Sequence, residues 1–331
     1  MNTNTPFTAA VVQTSPVFLN PQATIAKAVG LMEEAARHGA QLMAFPEVFI
    51  AGYPYWNWVL NPVQGSAWFE KLYHASLHLS DPLLQPLFEA ARRWQMTVVM
   101  GMNEKGDTPG TLYNTNLIIS HEGKLLGRHR KLVPTWAEKL TWSGGDGSSL
   151  KVYPTAVGAL GTLACGENTN PLARFSLLAQ GEQLHVANYI ALPVAPPDYN
   201  MAEAIKIRAA AHSFEGKVFT LVSCTTLSKE IADALAPEAP GIHELFDRQQ
   251  AAYSGIIGPN GAPVTDGLID AEGIVYADID LNRCIQPKQM HDILGHYNRF
   301  DVFELRINRK PLQPLYEGDA SGWESLSGGA L

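Results

Sequence analysis

An α/β fold, with sheets covered by helices, is what the sequence predicts, and three observations carry that expectation. Short apolar runs recur at 7–13, 41–45, 96–102, 184–192 and 217–224. Between them lie stretches with helical spacing, at 22–38, 81–94, 171–180 and 201–216. Hairpin signals break the alternation, so the sheets cannot be purely parallel. The 331 residues are 46% hydrophobic and 17% charged, enough apolar material for one large core.

Taken in order, FTAAVVQ at 7–13 reads as a buried strand. Ile25, Val29, Met32 and Ala36 recur at three- and four-residue steps and predict the helix over 22–38. QLMAF at 41–45 is a strand ended by Pro46-Glu47, and Asp81 with Pro82 starts a helix over 81–94. A strand at 96–102 is followed by 113–120 and 124–132, which flank the turn His121-Glu122-Gly123. A Gly/Ser-rich loop at 143–149 precedes strands at 150–155 and 157–165. Asn170 caps, Pro171 opens and Gly181 stops the next helix. A strand (184–192), a helix (201–216) and a strand (217–224) follow. Residues 228–249 read as an excursion over the surface, 254–266 as a hairpin on Asn260-Gly261, and 273–281 as a last strand. The two hairpins each follow a helix-then-strand unit, which hints at two similar halves. No low-complexity linker divides the chain, so residues 1–310 read as one domain. Residues 311–331 form a tail, expected at a subunit interface or partly flexible.

A net charge of −8 and the absence of a basic run argue against nucleic acid as a partner. No apolar run reaches the roughly 18–20 residues of a membrane span, and no positive segment precedes the first apolar stretch, so a cytoplasmic protein is expected. Three dispersed cysteines exclude a disulfide framework, and without C-x-x-C or H-E-x-x-H no metal is expected.

Chemistry concentrates in three places. Cys165 ends an apolar run just before Gly166 and a helix start, where unpaired backbone N–H groups favour a thiolate. Cys224 and Cys284 lie in or beside strands without a partner pattern. Glu47 follows a strand and is hemmed by Phe45, Val48, Phe49 and Ile50, surroundings that raise a carboxyl's pKa toward a base's working range. Lys131 precedes the apolar turn Leu-Val-Pro-Thr-Trp, where an ammonium can stabilise developing negative charge. Glu138, seven residues on, can neutralise it or orient it. Glu167 is a poor base for Cys165, because side chains so close in sequence seldom meet head-on.

Together these three stretches resemble the nitrilase superfamily of carbon–nitrogen hydrolases. The likeness runs from AAVVQTSP at 9–16 to Gly-His-Tyr-Asn-Arg at 295–299. It implies a four-layer α-β-β-α sandwich and a triad of base Glu47, Lys131 and nucleophile Cys165. The family's further glutamate falls on Glu138. CGENTNPLARF (165–175), RKLVPTWAEKLTWSGGDG (130–147) and GHYNRFDVFEL (295–305) resemble the nitrilase branch. Many bacterial nitrilases carry tryptophan directly after the nucleophile, where this chain has Gly166. The resemblance implies hydrolysis of a small-molecule nitrile to the acid and ammonia, with some amide by-product and no cofactor. It also implies a homodimer built through 171–180 and 201–216, assembling into a larger oligomer or spiral. Tyr53, Trp56, Thr135, Trp136, Trp142, Gly166 and Asn168 are the expected substrate-binding residues. Readings left open are an amidase on the same triad, a Ser-Ser-Lys amidase suggested by GDGSSLK (145–151), and a non-catalytic protein.

Overall fold

Alternation along each strand sets the layering. In β1 (Phe7–Gln13), Ala9 and Val11 pack into the centre of the molecule, while Ala10 and Val12 face an outer helical layer. The computed structural model describes residues 5–313, so the expected tail from 314 onward lies outside the described residues.

After β1 come β2 (Ala40–Ala44), β3 (Thr97–Lys105), β4 (Leu112–Ile119) and β5 (Leu125–Arg130). The second half supplies β6 (Tyr153–Thr155), β7 (Gly158–Ala164), β8 (Leu184–Tyr189), β9 (Phe219–Cys224), β10 (Tyr253–Ile257) and β11 (Leu268–Ile269). β12 (Gly273–Ile279) then returns to pair antiparallel with β1. The twelve strands form one hydrogen-bonded sheet that folds over into two halves, here called the first and second sheet, β5-β4-β3-β2-β1-β12 and β6-β7-β8-β9-β10-β11. They meet where Gln13 pairs with Cys224. Val11, Leu42, Val99 and Ile118 of the first sheet interlock with Leu160, Val186, Leu221 and Ile256 of the second.

Helices α1 (Pro21–Arg37), α2 (Pro62–Ala75) and α3 (Gln85–Arg93) belong to the first half. The second half carries α4 (Pro171–Leu178), α5 (Met201–Gly216), α6 (Lys229–Leu235), α7 (Ile242–Phe246) and α8 (Ile285–Met290). α1 and α3 cover the outer face of the first sheet; α4 and α5 cover that of the second. This is the expected four-layer α-β-β-α order, and the two halves repeat a β-α-β plan. Among the described residues no helix is long and apolar enough to cross a membrane.

Several expectations shift. α2 had no prediction, although Asn61 and Gln64 form a reciprocal capping box at its start and Pro62 occupies its first position. The helix over 81–94 is split: Pro82–Leu84 form a 3₁₀ turn before α3, because Pro86 cannot donate to an unbroken helix. The hairpin on Asn260-Gly261 forms but is short: the Gly258 N–H donates to the Ala262 carbonyl and the Val264 N–H to the Ile256 carbonyl, both at 2.8 Å, while β10 also pairs with β9 and β11. The 228–249 excursion folds inward. Ile231, Leu235, Ile242 and Phe246 are buried against Tyr55, Trp56 and Leu72.

One glycine positions the future site. A Cβ on Gly101 of β3 would lie 2.1 Å from the Pro46 carbonyl oxygen and 2.6 Å from the Val48 nitrogen. The loop carrying Glu47 therefore rests directly on the β3 backbone. Gly101→Ala should cost about 1–3 kcal/mol in urea denaturation, as overpacking of a backbone contact does.

Candidate active site

β2, β3 and β5 run in one direction, because β4 lies antiparallel between β3 and β5. The residues just past β2 and β5, Glu47 and Lys131, therefore emerge at one edge. The Glu47 N–H donates to the Tyr189 carbonyl at the end of β8 (3.3 Å), which brings the second sheet to the same edge. Cys165 follows β7 there.

Glu47, Lys131 and Glu138 are all buried. Lys131 Nζ donates to Glu47 Oε1 at 2.9 Å and to Glu138 Oε2 at 2.7 Å. Asn114 Nδ2 on β4 donates to the same Glu47 oxygen at 2.7 Å. Glu47 Oε2 is buried and has no hydrogen-bond partner among the described residues, so it is open to accept a proton. Burial raises the Glu47 carboxyl to about 7 against the pull of Lys131. Burial opposes the Lys131 charge, but Glu47 and Glu138 outweigh it and hold the ammonium protonated. Burial, then the Glu47 charge, pushes the Cys165 thiol up, while Lys131 pulls it down. The resting group is a thiol beside a base with a free oxygen.

Cys165 has φ +47, a left-handed conformation that costs a non-glycine residue about 1–3 kcal/mol. Glu167 holds this turn. Its carboxylate accepts from the Ala164 N–H at 2.9 Å, from the Leu132 N–H at 2.6 Å and from His129 Nε2 at 3.0 Å. The residue that precedes Leu132 is Lys131, so Glu167 ties the nucleophile's turn to the lysine's backbone. This strap went unnoticed in the sequence. The basic cluster around Lys131 also resolves. Arg128 and Arg130 both bind Glu104 on β3, and His129 points oppositely, as alternation in β5 requires.

The expected substrate-binding residues divide. Tyr53 Oη donates to Glu138 Oε1 at 3.0 Å and accepts from Trp58 Nε1 at 3.0 Å. Thr135 N–H donates to Glu138 Oε2 at 2.6 Å, so the 3₁₀ turn Trp136–Leu140 is built on the site's own acid. A Cβ on Gly166 would meet only Thr135 Oγ1, at 3.1 Å, which puts these two at one opening. Trp136 is 76% exposed and lies edge-on to Trp58. Three residues need correction. Trp56 is buried against Phe18 and Trp68 in the core. Trp142 is buried, with its indole N–H on Asn103 Oδ1 at 2.9 Å. Asn168 spends its amide on the Leu163 and Cys165 carbonyls. Trp142 and Asn168 have their polar groups taken, and the indole N–H of Trp56, without a partner among the described residues, is enclosed in the aromatic core. Asn114, His129 and Glu167 are the polar residues that sequence reasoning missed. A cleft of about 890 Å³ lies between Trp58, the 193–200 loop and α7–Gln250. None of the triad lines it; Trp58, hydrogen-bonded to Tyr53, is its link to the site.

The arrangement of an acid base, an ammonium and a thiol on this fold defines a cysteine hydrolase. Residues 8–289 match the family model described as carbon-nitrogen hydrolase. An aliphatic nitrilase of Rhodococcus rhodochrous is 38% identical over 326 residues, covering 95% of this chain and 85% of that protein. A nitrilase of Paraburkholderia phymatum is 34% identical, covering 93% and 88%. The crystal structure of Saccharomyces cerevisiae Nit3, a member of branch 10 of the nitrilase superfamily, superposes with a TM-score of 0.67. It has 19% identity and covers 89% of this chain and 97% of that one. The chain belongs to the carbon–nitrogen hydrolase family.

Removing the ammonium leaves two buried carboxylates facing each other. Lys131→Met should lose about 3–5 kcal/mol at pH 7. The loss should shrink at pH 5, where Glu47, raised to about 7 by burial, is protonated, so urea titrations at the two pH values should differ; equal losses would contradict this charge balance.

Proposed function

We propose that this chain is a nitrilase, hydrolysing an organic nitrile to the carboxylic acid and ammonia. The observation that carries the reading is the unpartnered, buried Oε2 of Glu47 in a site that already holds a protonated lysine. Glu47 takes the Cys165 thiol proton, the sulfur bonds to the nitrile carbon, and Glu47 passes that proton to the nitrogen to give a neutral thioimidate. Water then adds to that carbon and gives a proton to Glu47. Lys131, held by Glu138, faces the charge that develops on the tetrahedral species. Breaking the C–N bond releases ammonia and leaves an acyl thioester, and a second water frees the acid and restores the thiol. Breaking the C–S bond instead releases the amide.

The substrate's organic group would sit at the opening shared by Gly166, Thr135 and Trp136. Three unpaired cysteines fit a reducing, cytoplasmic setting. Homodimerisation would use α4 and α5, which expose Leu172 (61%), Ile207 (66%) and Phe214. Light scattering should show a dimer or a larger assembly; a monomer at micromolar concentration would refute this.

Ammonia release should be measured across a phenylacetonitrile, a benzonitrile, a short dinitrile and the matching amides. Turnover of nitriles with Cys165→Ala inactive, and an adduct on the Cys165 peptide by mass spectrometry, are expected. Amides as the only substrates would shift the reading to an amidase. Because Glu47 must lose its proton to act, kcat/KM should rise as pH increases through about 7. Gly166→Trp should retain the chemistry and change the order of preference among the nitriles.

A further inference from the structure

A second polar chain approaches Cys165 from behind, and no step of the reaction uses it. Asn168 Nδ2 donates to the Leu163 carbonyl at 3.2 Å and to the Cys165 carbonyl at 3.1 Å. Two carbonyls can only accept, so the nitrogen end of the amide faces them, and Oδ1 faces His185 Nε2 at 2.8 Å. That ring nitrogen must therefore carry a proton. The other ring nitrogen, Nδ1, lies 2.7 Å from Glu182 Oε1. His212 Nε2, on α5, meets Glu182 Oε2 at 2.8 Å, and its Nδ1 has no partner among the described residues. Asn168, Glu182, His185 and His212 are all buried.

The charges follow from the contacts. Burial alone would raise the Glu182 carboxyl, but His185 and His212 pull it down to about 2. Burial and the neighbouring His185 push His212 down to about 4, so it is neutral. His185 stands between that carboxylate, 2.7 Å from its Nδ1, and the Asn168 amide oxygen, 2.8 Å from its Nε2. Among the described residues, Arg174 on α4 also bears on this cluster and pairs with Glu215 at 2.7 Å. β7 makes room for the carboxylate: a Cβ on Gly161 would lie 2.1 Å from Glu182 Oε1.

We propose that His212, Glu182, His185 and Asn168 form a buried positioning relay that holds the Cys165 turn in its left-handed conformation through the Leu163 and Cys165 carbonyls. The proposal rests on Cys165 being the nucleophile. The relay braces the turn from α5 and β8, while Glu167 braces it from the Lys131 side. The Glu182 contact holds the His185 ring so that Nε2–H donates to Oδ1, and this fixes the direction of the Asn168 amide. Without that contact, the amide is free to rotate and both carbonyls lose their donor.

The test compares wild type with Glu182→Gln, His185→Gln and His212→Gln, reading kcat, KM, melting temperature and the rate at which iodoacetamide alkylates Cys165, mapped on its peptide. Alkylation needs no nitrile, so a failure of the nitrilase reading leaves this arm intact. Glu182→Gln and His185→Gln should lower kcat by about 10–100-fold with KM within about threefold, the effect of misplacing a reacting atom. Alkylation of Cys165 should slow in parallel. His212→Gln, which removes only the outer bond, should lose less than about fivefold on the same scale. Should either variant fail to fold, Gly161→Ala displaces the carboxylate without altering any relay residue and should give the same pattern. Unchanged kcat and alkylation in folded Glu182→Gln and His185→Gln would overturn the proposal. So would a lowered melting temperature with normal alkylation of the folded fraction. A stoichiometric metal in the purified protein, whose removal reproduces the loss, would also overturn it.

Discussion

The ammonium of Lys131, buried between Glu47 and Glu138, is the constraint around which the rest of this structure is arranged. A lone buried cation would lose its proton, and a lone buried carboxylate would gain one. Two carboxylates around one ammonium divide the difference. Lys131 stays charged, while Glu47 sits at about 7, where a proton can come or go. The arrangement leaves one Glu47 oxygen unsatisfied. In a purely structural ion pair that atom would be a defect. Beside a thiol it is what allows the pair to work as a base.

Holding three groups from distant parts of the chain in such a small volume requires the backbone to give way. The Glu47 loop presses onto Gly101, and Val48 and Cys165 both adopt left-handed conformations. These conformations persist because partners over-determine them. Glu167 clamps the Cys165 turn to Leu132, and Asn168 clamps it to the interior of the second half. Glu138 is also clamped, by the Tyr53 hydroxyl and the Thr135 N–H. Rigidity around Cys165 and Glu138 is therefore built from protein hydrogen bonds alone.

The parts of the fold that were legible in the sequence are those governed by local rules. Helix α4 declares itself through Asn170, Pro171 and Gly181, and β1 through an unbroken apolar run. Helix α2 has no sequence prediction, although Asn61-Pro62 and Gln64 spell out its cap. Trp56 and Trp142 were placed at the substrate because tryptophans near an acid look like a pocket wall. Burial decides that question, and burial depends on α2, α6 and α7 closing over them.

What the sequence determined by itself was the chemistry: a thiol before a glycine at a strand end, an acid after another strand, and a lysine before an apolar turn. Each is a short-range pattern of residue type and flank, and such patterns survive without knowledge of the contacts. What only the tertiary structure decided was who faces whom. Glu167 and Asn168, two and three residues from Cys165, bind the backbone of its turn, while Glu47, the proposed base, lies 118 positions away. The reason is geometric. A turn sends successive side chains in different directions, so sequence proximity to Cys165 carries no information about which oxygen its proton can reach.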